Sequence, residues 1–174
     1  MKKSTISIFY FSGTGNTWWA SEQIAEELAS HGFNAHAYSI EQLTIKETAS
    51  LIDKSSLVGL GFPIYGSDTP RIFHDFLDAL PEQKTQKPVL GFVTQMGWSG
   101  NGINFLEKEL EEKGYCIRWA VEFNMPSNIA LPIFPLPYSS DISKFKPQLK
   151  KCSRKIIDLC KMMANDENYR QHNH

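Results

Sequence analysis

The sequence predicts an α/β protein in which a doubly wound, five-stranded parallel sheet lies between two layers of helices. Short apolar runs alternate along the chain with longer segments of helical periodicity, and this order is typical of a parallel sheet that is covered on both faces. The chain has 174 residues, which is the usual length of one domain. We therefore expect a single three-layer domain over residues 1–174, with a polar tail at 165–174 that frays.

Five apolar runs predict the strands, and five segments between and after them predict the helices. The strands are Ile6–Phe11, Phe33–Ser39, Leu57–Gly61, Val89–Thr94 and Tyr115–Val121. The helices are Thr17–Ser30, Ile40–Lys54, Pro70–Leu80, Gly102–Lys113 and Ile142–Ala164.

Local signals support three of these helices. The first ends before His31-Gly32, a glycine stop, and the third begins with Pro70 in its first turn and ends against Pro81. In the last helix, apolar residues recur at steps of three and four residues, and we interpret their stripe as part of the core. The residues of the stripe are Phe145, Leu149, Cys152, Ile156, Cys160 and Met163.

The composition of the chain argues against several classes of function. The chain has 18 Lys and Arg against 19 Asp and Glu, so it lacks the basic excess that nucleic-acid binding normally requires. Its three cysteines show no C-x-x-C spacing, which indicates reduced thiols and excludes an iron–sulfur cluster held by this chain. The N-terminal apolar run is too short for a signal peptide. We expect a cytoplasmic protein with no membrane insertion and no metal site.

A glycine-rich loop follows the first strand directly. It reads Ser12-Gly13-Thr14-Gly15-Asn16-Thr17 and runs into a helix. Glycines and small hydroxyl residues let backbone N–H groups wrap an anion, and the helix N-terminus adds partial positive charge. Trp18 stands where a dinucleotide fingerprint needs glycine, and the lysine of a nucleoside-triphosphate loop is missing. The loop therefore favours a terminal phosphate monoester.

This loop, placed after an N-terminal strand, resembles the FMN phosphate loop of the flavodoxin family. The resemblance extends over roughly Ile6 to Ala164 and is greatest to the flavodoxin-like module that many anaerobes fuse to a ferredoxin-type domain. It rests on Phe9–Thr17 and on Asn124-Met125-Pro126-Ser127-Asn128. The ferredoxin half is missing from this sequence, so no iron–sulfur chemistry is carried over.

The resemblance implies FMN as the cofactor and assigns two further loops to its ring, one after the third strand and one after the fourth. Tyr65 and Trp98 would stack on the ring or lie at its edge, and the glycines would allow close backbone approach. A peptide at Ile64–Ser67, with Gly66 as the flexible residue, would flip to hydrogen-bond the ring. The implied cofactor-binding residues are Ser12, Gly13, Thr14, Gly15, Asn16, Thr17, Pro63, Ile64, Tyr65, Gly66, Thr94, Gln95, Gly97, Trp98, Gly100 and Gly102.

The preferred function is a flavodoxin-like redox protein that transfers electrons between partner proteins, of ferredoxin type or reductases, with no catalytic residue of its own. Since Pro63–Ser67 and Thr94–Gly102 carry no charged side chain, we expect a less negative second reduction potential than in acidic flavodoxins. The alternative is an FMN-dependent reductase or oxidase of a quinone or NAD(P)H. A third possibility is a binding module without a redox role. The apolar, proline-rich segment Asn124–Ser140 is predicted as a lid, a docking surface or simple packing.

Overall fold

A single parallel sheet forms the centre of the computed structural model, which describes residues 4–65, 68–97, 102–126 and 145–170. In these segments the strand order is β2-β1-β3-β4-β5-β6, and all neighbouring pairs are parallel. The strands are β1 (Thr5–Tyr10), β2 (Asn34–Ser39), β3 (Leu57–Pro63), β4 (Lys87–Gln95), β5 (Tyr115–Asn124) and β6 (Tyr169–Arg170). The order reverses beside β1, and ligands of doubly wound sheets bind at such a switch point, beyond the carboxyl ends of the strands.

Helices cover both faces of the sheet. They are α1 (Asn16–Ser30), α2 (Ile45–Lys54), α3 (Arg71–Asp78), α4 (Glu107–Glu112) and α5 (Lys146–Ala164). One apolar core joins α1 and α5 to the sheet through Ile24, Leu28 and Ile156. The other joins α2, α3 and α4 to the opposite face through Ile52 and Phe73, among others. The predicted three-layer fold class is confirmed.

The five predicted strands are present, and three of them are longer than the sequence indicated. β3 continues to Pro63, β4 begins at Lys87 and reaches Gln95, and β5 reaches Asn124. Gly32, which has a φ of 92°, lies directly after His31, the C-cap of α1, as expected for a glycine stop.

Two predicted helices are divided, and one begins later than expected. The segment predicted over Ile40–Lys54 forms a 3₁₀ turn at Ile40–Gln42 and then α2, because Thr44 caps α2 in a reciprocal capping box with Glu47. Similarly, Gly102–Leu106 is a 3₁₀ turn that precedes α4. The last helix begins at Lys146, whereas residues 142–144 lie outside the described residues.

The sixth strand corrects the expectation of a five-stranded sheet, and also that of a tail that frays throughout 165–174. Tyr169 and Arg170 pair with Trp119 and Ala120 of β5. The tail is polar, but its side chains and carbonyls have specific partners. The Arg118 guanidinium donates to Asp166 Oδ1 at 2.8 Å, and Trp119 Nε1 donates to the carbonyl of Glu167 at 2.6 Å.

Candidate functional site

The loop between β1 and α1 is the centre of the candidate site. Gly15 is the N-cap of α1 and has a φ of 93°, a left-handed conformation that glycine adopts without strain. Its N–H donates to Ser12 Oγ at 3.1 Å, and its carbonyl accepts from Trp19 at 2.9 Å. The backbone N–H groups of the helical residues before Trp19 have no acceptor within the helix, because the first helical hydrogen bond is donated by Trp19. The loop thus presents backbone donors at the positive end of a helix.

Gly13 allows the loop after β3 to approach. A Cβ atom at Gly13 would lie 2.3 Å from the Tyr65 hydroxyl oxygen, so a larger residue here would displace that side chain. Tyr65 itself exchanges two backbone hydrogen bonds with Asp68, each 3.1 Å long. Its ring remains 48% exposed. A half-exposed aromatic ring therefore lies over the loop that presents the anion donors.

A buried hydroxyl pair joins the loop to β4. Thr17 Oγ1 and Thr94 Oγ1 are 2.8 Å apart, and the two residues are 1% and 3% exposed. This contact connects positions 77 residues apart. Since each hydroxyl has one donor and two acceptor positions, this contact uses one of the two O–H donors of the pair, and the other can donate to a ligand.

The segment after β5 is also tied to the loop. Asn16 Nδ2 donates to the carbonyl of Pro126 at 3.1 Å, and the Met125 N–H donates to the carbonyl of Gln95 at 2.7 Å. The Met125 side chain is buried. The ends of β1, β4 and β5 are therefore fixed relative to one another around the same opening.

These loops enclose a cleft that is open to solvent. None of its described lining residues is acidic, basic or a histidine, so we call it the uncharged cleft. The lining residues are Ser12, Gly13, Thr14, Asn16, Thr17, Pro63, Ile64, Tyr65, Thr94, Gln95, Met96 and Pro126. Of these, Met96 and Pro126 were absent from the predicted site residues, although both lie in segments that the sequence singles out.

The remaining predicted site residues have different positions. Gly15 is the helix cap behind the lining, and Gly97 accepts from Gln95 Nε2 through its carbonyl. Gly102 starts the 3₁₀ turn, where an added Cβ would lie 2.6 Å from Glu122 Oε1; it does not line the cleft. Three further predicted residues, Gly66, Trp98 and Gly100, lie outside the described residues, as do residues 127–140 of the proline-rich segment.

A second cleft lies between the end of β5 and α5 and shares Met96 with the first. Because it contains ionisable groups, we call it the charged cleft. Its described lining residues are Met96, Glu122, Phe123, Asn124, Pro147, Gln148, Lys151, Cys152 and Lys155. The sequence reading did not identify this cleft, since it depends on how α5 packs against β5.

Glu122 is the buried acid of the charged cleft, at 5% exposure. Its Oε2 accepts from Gln95 Nε2 at 3.2 Å, and its backbone carbonyl accepts from Lys155 Nζ at 2.7 Å. Burial lowers the pKa of the Lys155 ammonium, and the nearby Glu122 carboxylate partly offsets that effect. Burial raises the pKa of the Cys152 thiol, which Lys155 in turn lowers slightly.

Trp18 and Trp19, on the first turn of α1, differ in exposure. Trp18 is 51% exposed, whereas Trp19 is partly buried against the core of α1 and α5. Neither lines the uncharged cleft. The three cysteines are free, with Cys152 and Cys160 buried and Cys116 half-buried.

Comparison with known proteins agrees with this fold and loop. Residues 8–117 match the family model described as Flavodoxin. The chain belongs to the flavodoxin family. FMN is the cofactor of this family, so the cofactor expected from the sequence is confirmed.

Relatives of this flavodoxin-family chain differ in size. A protein named diflavin flavoprotein A 2 from Thermosynechococcus vestitus is 28% identical over 116 residues, which cover 67% of this chain but only 20% of that protein. The chain thus spans about a fifth of the length of that relative. The flavodoxin of Megasphaera elsdenii is 27% identical over 128 residues, which cover 71% of this chain and 89% of that one.

Solved structures show the same fold. A flavodoxin from Streptococcus pneumonia TIGR4 superposes with a TM-score of 0.65 over 94% of this chain and 99% of that chain, at 12% sequence identity. Among the helices of the described segments, none combines the length and apolar character needed to cross a membrane. The described residues also contain no cluster of His, Cys, Asp and Glu side chains able to hold a metal ion.

Proposed function

We propose that this chain is an FMN-dependent electron carrier that receives electrons from one partner protein and passes them to another. The observation that carries the proposal is the uncharged cleft, in which the anion-binding loop lies beside two half-exposed side chains, Tyr65 and Met96. The described lining residues supply hydroxyl, amide and backbone groups, which are suited to binding and positioning.

The loop fits the phosphate end of FMN. Ser12 and Thr14 line the cleft with their hydroxyl-bearing side chains, and the Thr17 hydroxyl adds a buried partner. The backbone N–H groups at the start of α1 supply further donors, and the helix dipole favours the dianion. Among the described residues, no lysine or arginine lines the cleft, so the phosphate would be held by hydrogen bonds alone. Hydrogen bonds to an ionised oxygen are stronger than those between neutral groups, and a single phosphate monoester can therefore be held in this way.

The opposite end of the cleft fits a flat ring with polar edges. Tyr65 and Met96 offer an aromatic face and a polarisable thioether for ring contacts. Gln95 Oε1 is buried and forms no hydrogen bond within the described residues. It is therefore an acceptor available to an N–H donor of the ring. The flavin itself supplies the redox chemistry, by taking up and releasing one or two electrons.

The first test is the absorption spectrum of the purified protein, before and after excess FMN is added and the unbound fraction removed. We expect retained flavin bands, and bands that persist when NADH or NADPH is added without a partner protein. A colourless protein that rejects FMN would overturn the proposal. Rapid bleaching by either nucleotide would instead support an FMN-dependent reductase, the alternative predicted from the sequence.

A further inference from the structure

A cluster of basic residues lies on the N-terminal half of α5. Of the ten residues from 146 to 155, five are Lys or Arg and none is Asp or Glu, although the whole chain has a formal net charge of −1. We call this cluster the basic strip. It consists of Lys146, Lys150, Lys151, Arg154 and Lys155.

The direction of α5 places the basic strip at the edge of the sheet that holds the uncharged cleft. Near the start of α5, Gln148 Nε2 donates to the carbonyl of Asn124, the last residue of β5, at 3.0 Å. Beyond the end of α5, the carbonyl of Glu167 contacts Trp119 in the first half of β5. The helix therefore runs antiparallel to β5, and its basic half lies at the carboxyl ends of the strands.

The basic strip adjoins the uncharged cleft through Met96. Lys151 and Lys155 line the charged cleft together with Met96, and Met96 also lines the uncharged cleft. The other three members, Lys146, Lys150 and Arg154, are exposed and spaced four residues apart, so they form one row along the helix surface. A partner protein bound to this row would be separated from the uncharged cleft by the charged cleft.

The exposed charges of the basic strip have no partners within the chain as described. Lys146, Lys150, Lys151 and Arg154 are all exposed and form no ion pair or hydrogen bond among the described residues. Like charges four residues apart destabilise a helix slightly, and cations near a helix N-terminus oppose the helix dipole. Helix stability therefore does not explain this arrangement, which favours an external anionic surface instead.

We propose that the basic strip is a docking surface for an acidic redox protein, which it orients toward Met96 and Tyr65. The proposal rests on the proposed function as an electron carrier. Exposed Met96 and Tyr65 beside a charged rim form a surface of the kind that partner proteins use, with polar charges outside and apolar side chains at the centre. The docked partner would act as an electron donor. One electron would leave its reduced centre and pass to the bound FMN, with no transfer of atoms.

The test compares two variants with the same loss of charge. In the docking variant, Lys146→Gln, Lys150→Gln and Arg154→Gln are combined. In the matched control, Lys46→Gln, Lys54→Gln and Lys84→Gln remove three exposed cations elsewhere on the surface. The probe is a reduced acidic [2Fe–2S] ferredoxin, mixed with the FMN-loaded protein in a stopped-flow instrument, and a basic c-type cytochrome serves as the opposite probe.

We expect the rate constant with ferredoxin to fall about tenfold between about 10 and 150 mM salt, because screening shortens the reach of the steering field. The docking variant should lose about tenfold of the low-salt rate, and the control variant less than about twofold. Equal rates in the docking and control variants would overturn the proposal, as would a rate constant for electron transfer from the reduced protein to the oxidised cytochrome that falls with salt as steeply as the ferredoxin rate constant.

A second readout separates this proposal from the proposed function. Association of oxidised ferredoxin with the protein is measured by calorimetry, with and without FMN. Salt-dependent binding that the docking variant loses supports the docking surface even if the protein fails to hold FMN. If the docking variant instead binds ferredoxin normally and loses only reduction by NADPH, the strip serves a small anionic substrate and the docking proposal is wrong.

Discussion

The two clefts at the carboxyl edge of the sheet share Met96 and little else. The uncharged cleft relies on hydroxyls, amides and backbone N–H groups, whereas the charged cleft contains Glu122, Lys151 and Lys155. In the proposed FMN site, the dipoles of the first cleft would meet the phosphate without placing a formal charge beside the ring. In the second cleft, both cations lie on α5 and the buried acid lies on β5. Under the two proposals, the cofactor and the partner protein would bind to separate surfaces that meet at Met96.

Replacing Thr17 by valine tests the uncharged cleft most directly. The substitution removes the hydroxyl that pairs with Thr94 and leaves that buried hydroxyl without its partner. A lost hydrogen bond to a charged group costs about 1.5–3 kcal/mol, so we expect FMN to bind about 10- to 100-fold more weakly in a fluorescence titration.

Ser21→Ala is the control for the Thr17 variant. Ser21 is buried on the same helix and donates to the carbonyl of Thr17, but it does not line the cleft. It should change stability without changing FMN affinity. Equal affinity in the wild-type and Thr17→Val proteins would contradict the assignment of the phosphate loop.

In the charged cleft, Lys155→Met should destabilise the fold. The variant removes the cation beside the buried Glu122 carboxylate and the donor to the Glu122 carbonyl. Because removing this nearby cation leaves the buried Glu122 carboxylate less well compensated, and Lys155 is half-buried, we expect a loss of about 2 kcal/mol in the free energy of unfolding, measured in urea. Lys151→Met, one turn earlier and exposed, should change it by less than about 0.5 kcal/mol. Similar losses in both would show that Glu122 does not depend on Lys155.

A carboxylate introduced at the boundary of the clefts should lower the reduction potential of the bound flavin. Met96→Glu places a negative charge at the rim of the uncharged cleft, and an anionic reduced ring is disfavoured by a like charge. At surface dielectric values the effect is about 1 kcal/mol, or about 40 mV for one electron. Phe105→Glu, at an exposed position that does not line the cleft, should shift the potential much less in the same redox titration.

The smallest expected effect concerns the thiol of the charged cleft. Burial raises the pKa of Cys152 above its ordinary value near 9, so its labelling by iodoacetamide should still be increasing with pH above 9, where that of an unburied thiol levels off. Since the protonated thiol is favoured in the folded state, the associated stability is present below pH 9 and is lost at higher pH.

Lys155→Met should slow the labelling of Cys152 a few-fold, because it removes the cation that partly lowers the pKa of that thiol. Cys160, whose pKa burial raises to about 12, is the internal reference and should react slowest in a peptide mass-spectrometry assay. Faster labelling of Cys152 in the variant would show that local opening, and not thiolate content, controls its reactivity.

The uncharged cleft was largely predictable because its signals are local. The segment Ser12–Thr17 follows a strand and opens a helix, and the loops after β3 and β4 must reach the same edge of a parallel sheet. Tyr65 and Gln95 were assigned to the site by the resemblance to the flavodoxin family, and this topology agrees with their positions at the cleft. By contrast, the pairing of Thr17 with Thr94 spans 77 residues, and no pattern in either segment indicates it.

The charged cleft and the sixth strand depend on contacts between distant segments, which the periodicity of the sequence does not predict. The apolar stripe of α5 correctly predicted buried Cys152 and Ile156, but it carries no information on which residue of β5 meets Lys155. β6 has only two residues, which are too few to show the alternation of apolar and polar residues that identifies a strand. Its place is set by side-chain contacts with Arg118 and Trp119, about 50 residues away.

The Arg118 contacts have a consequence for the behaviour of the chain at high concentration. β5 is ten residues long and mostly buried, and among the described residues Trp119 and Ala120 are the positions on its outer side that pair with a strand, β6. An apolar strand with an open edge is a template for pairing with other chains. By holding Asp166 and Asn168 with its guanidinium, Arg118 keeps a short polar segment along that edge, which we expect to reduce pairing of β5 with other chains.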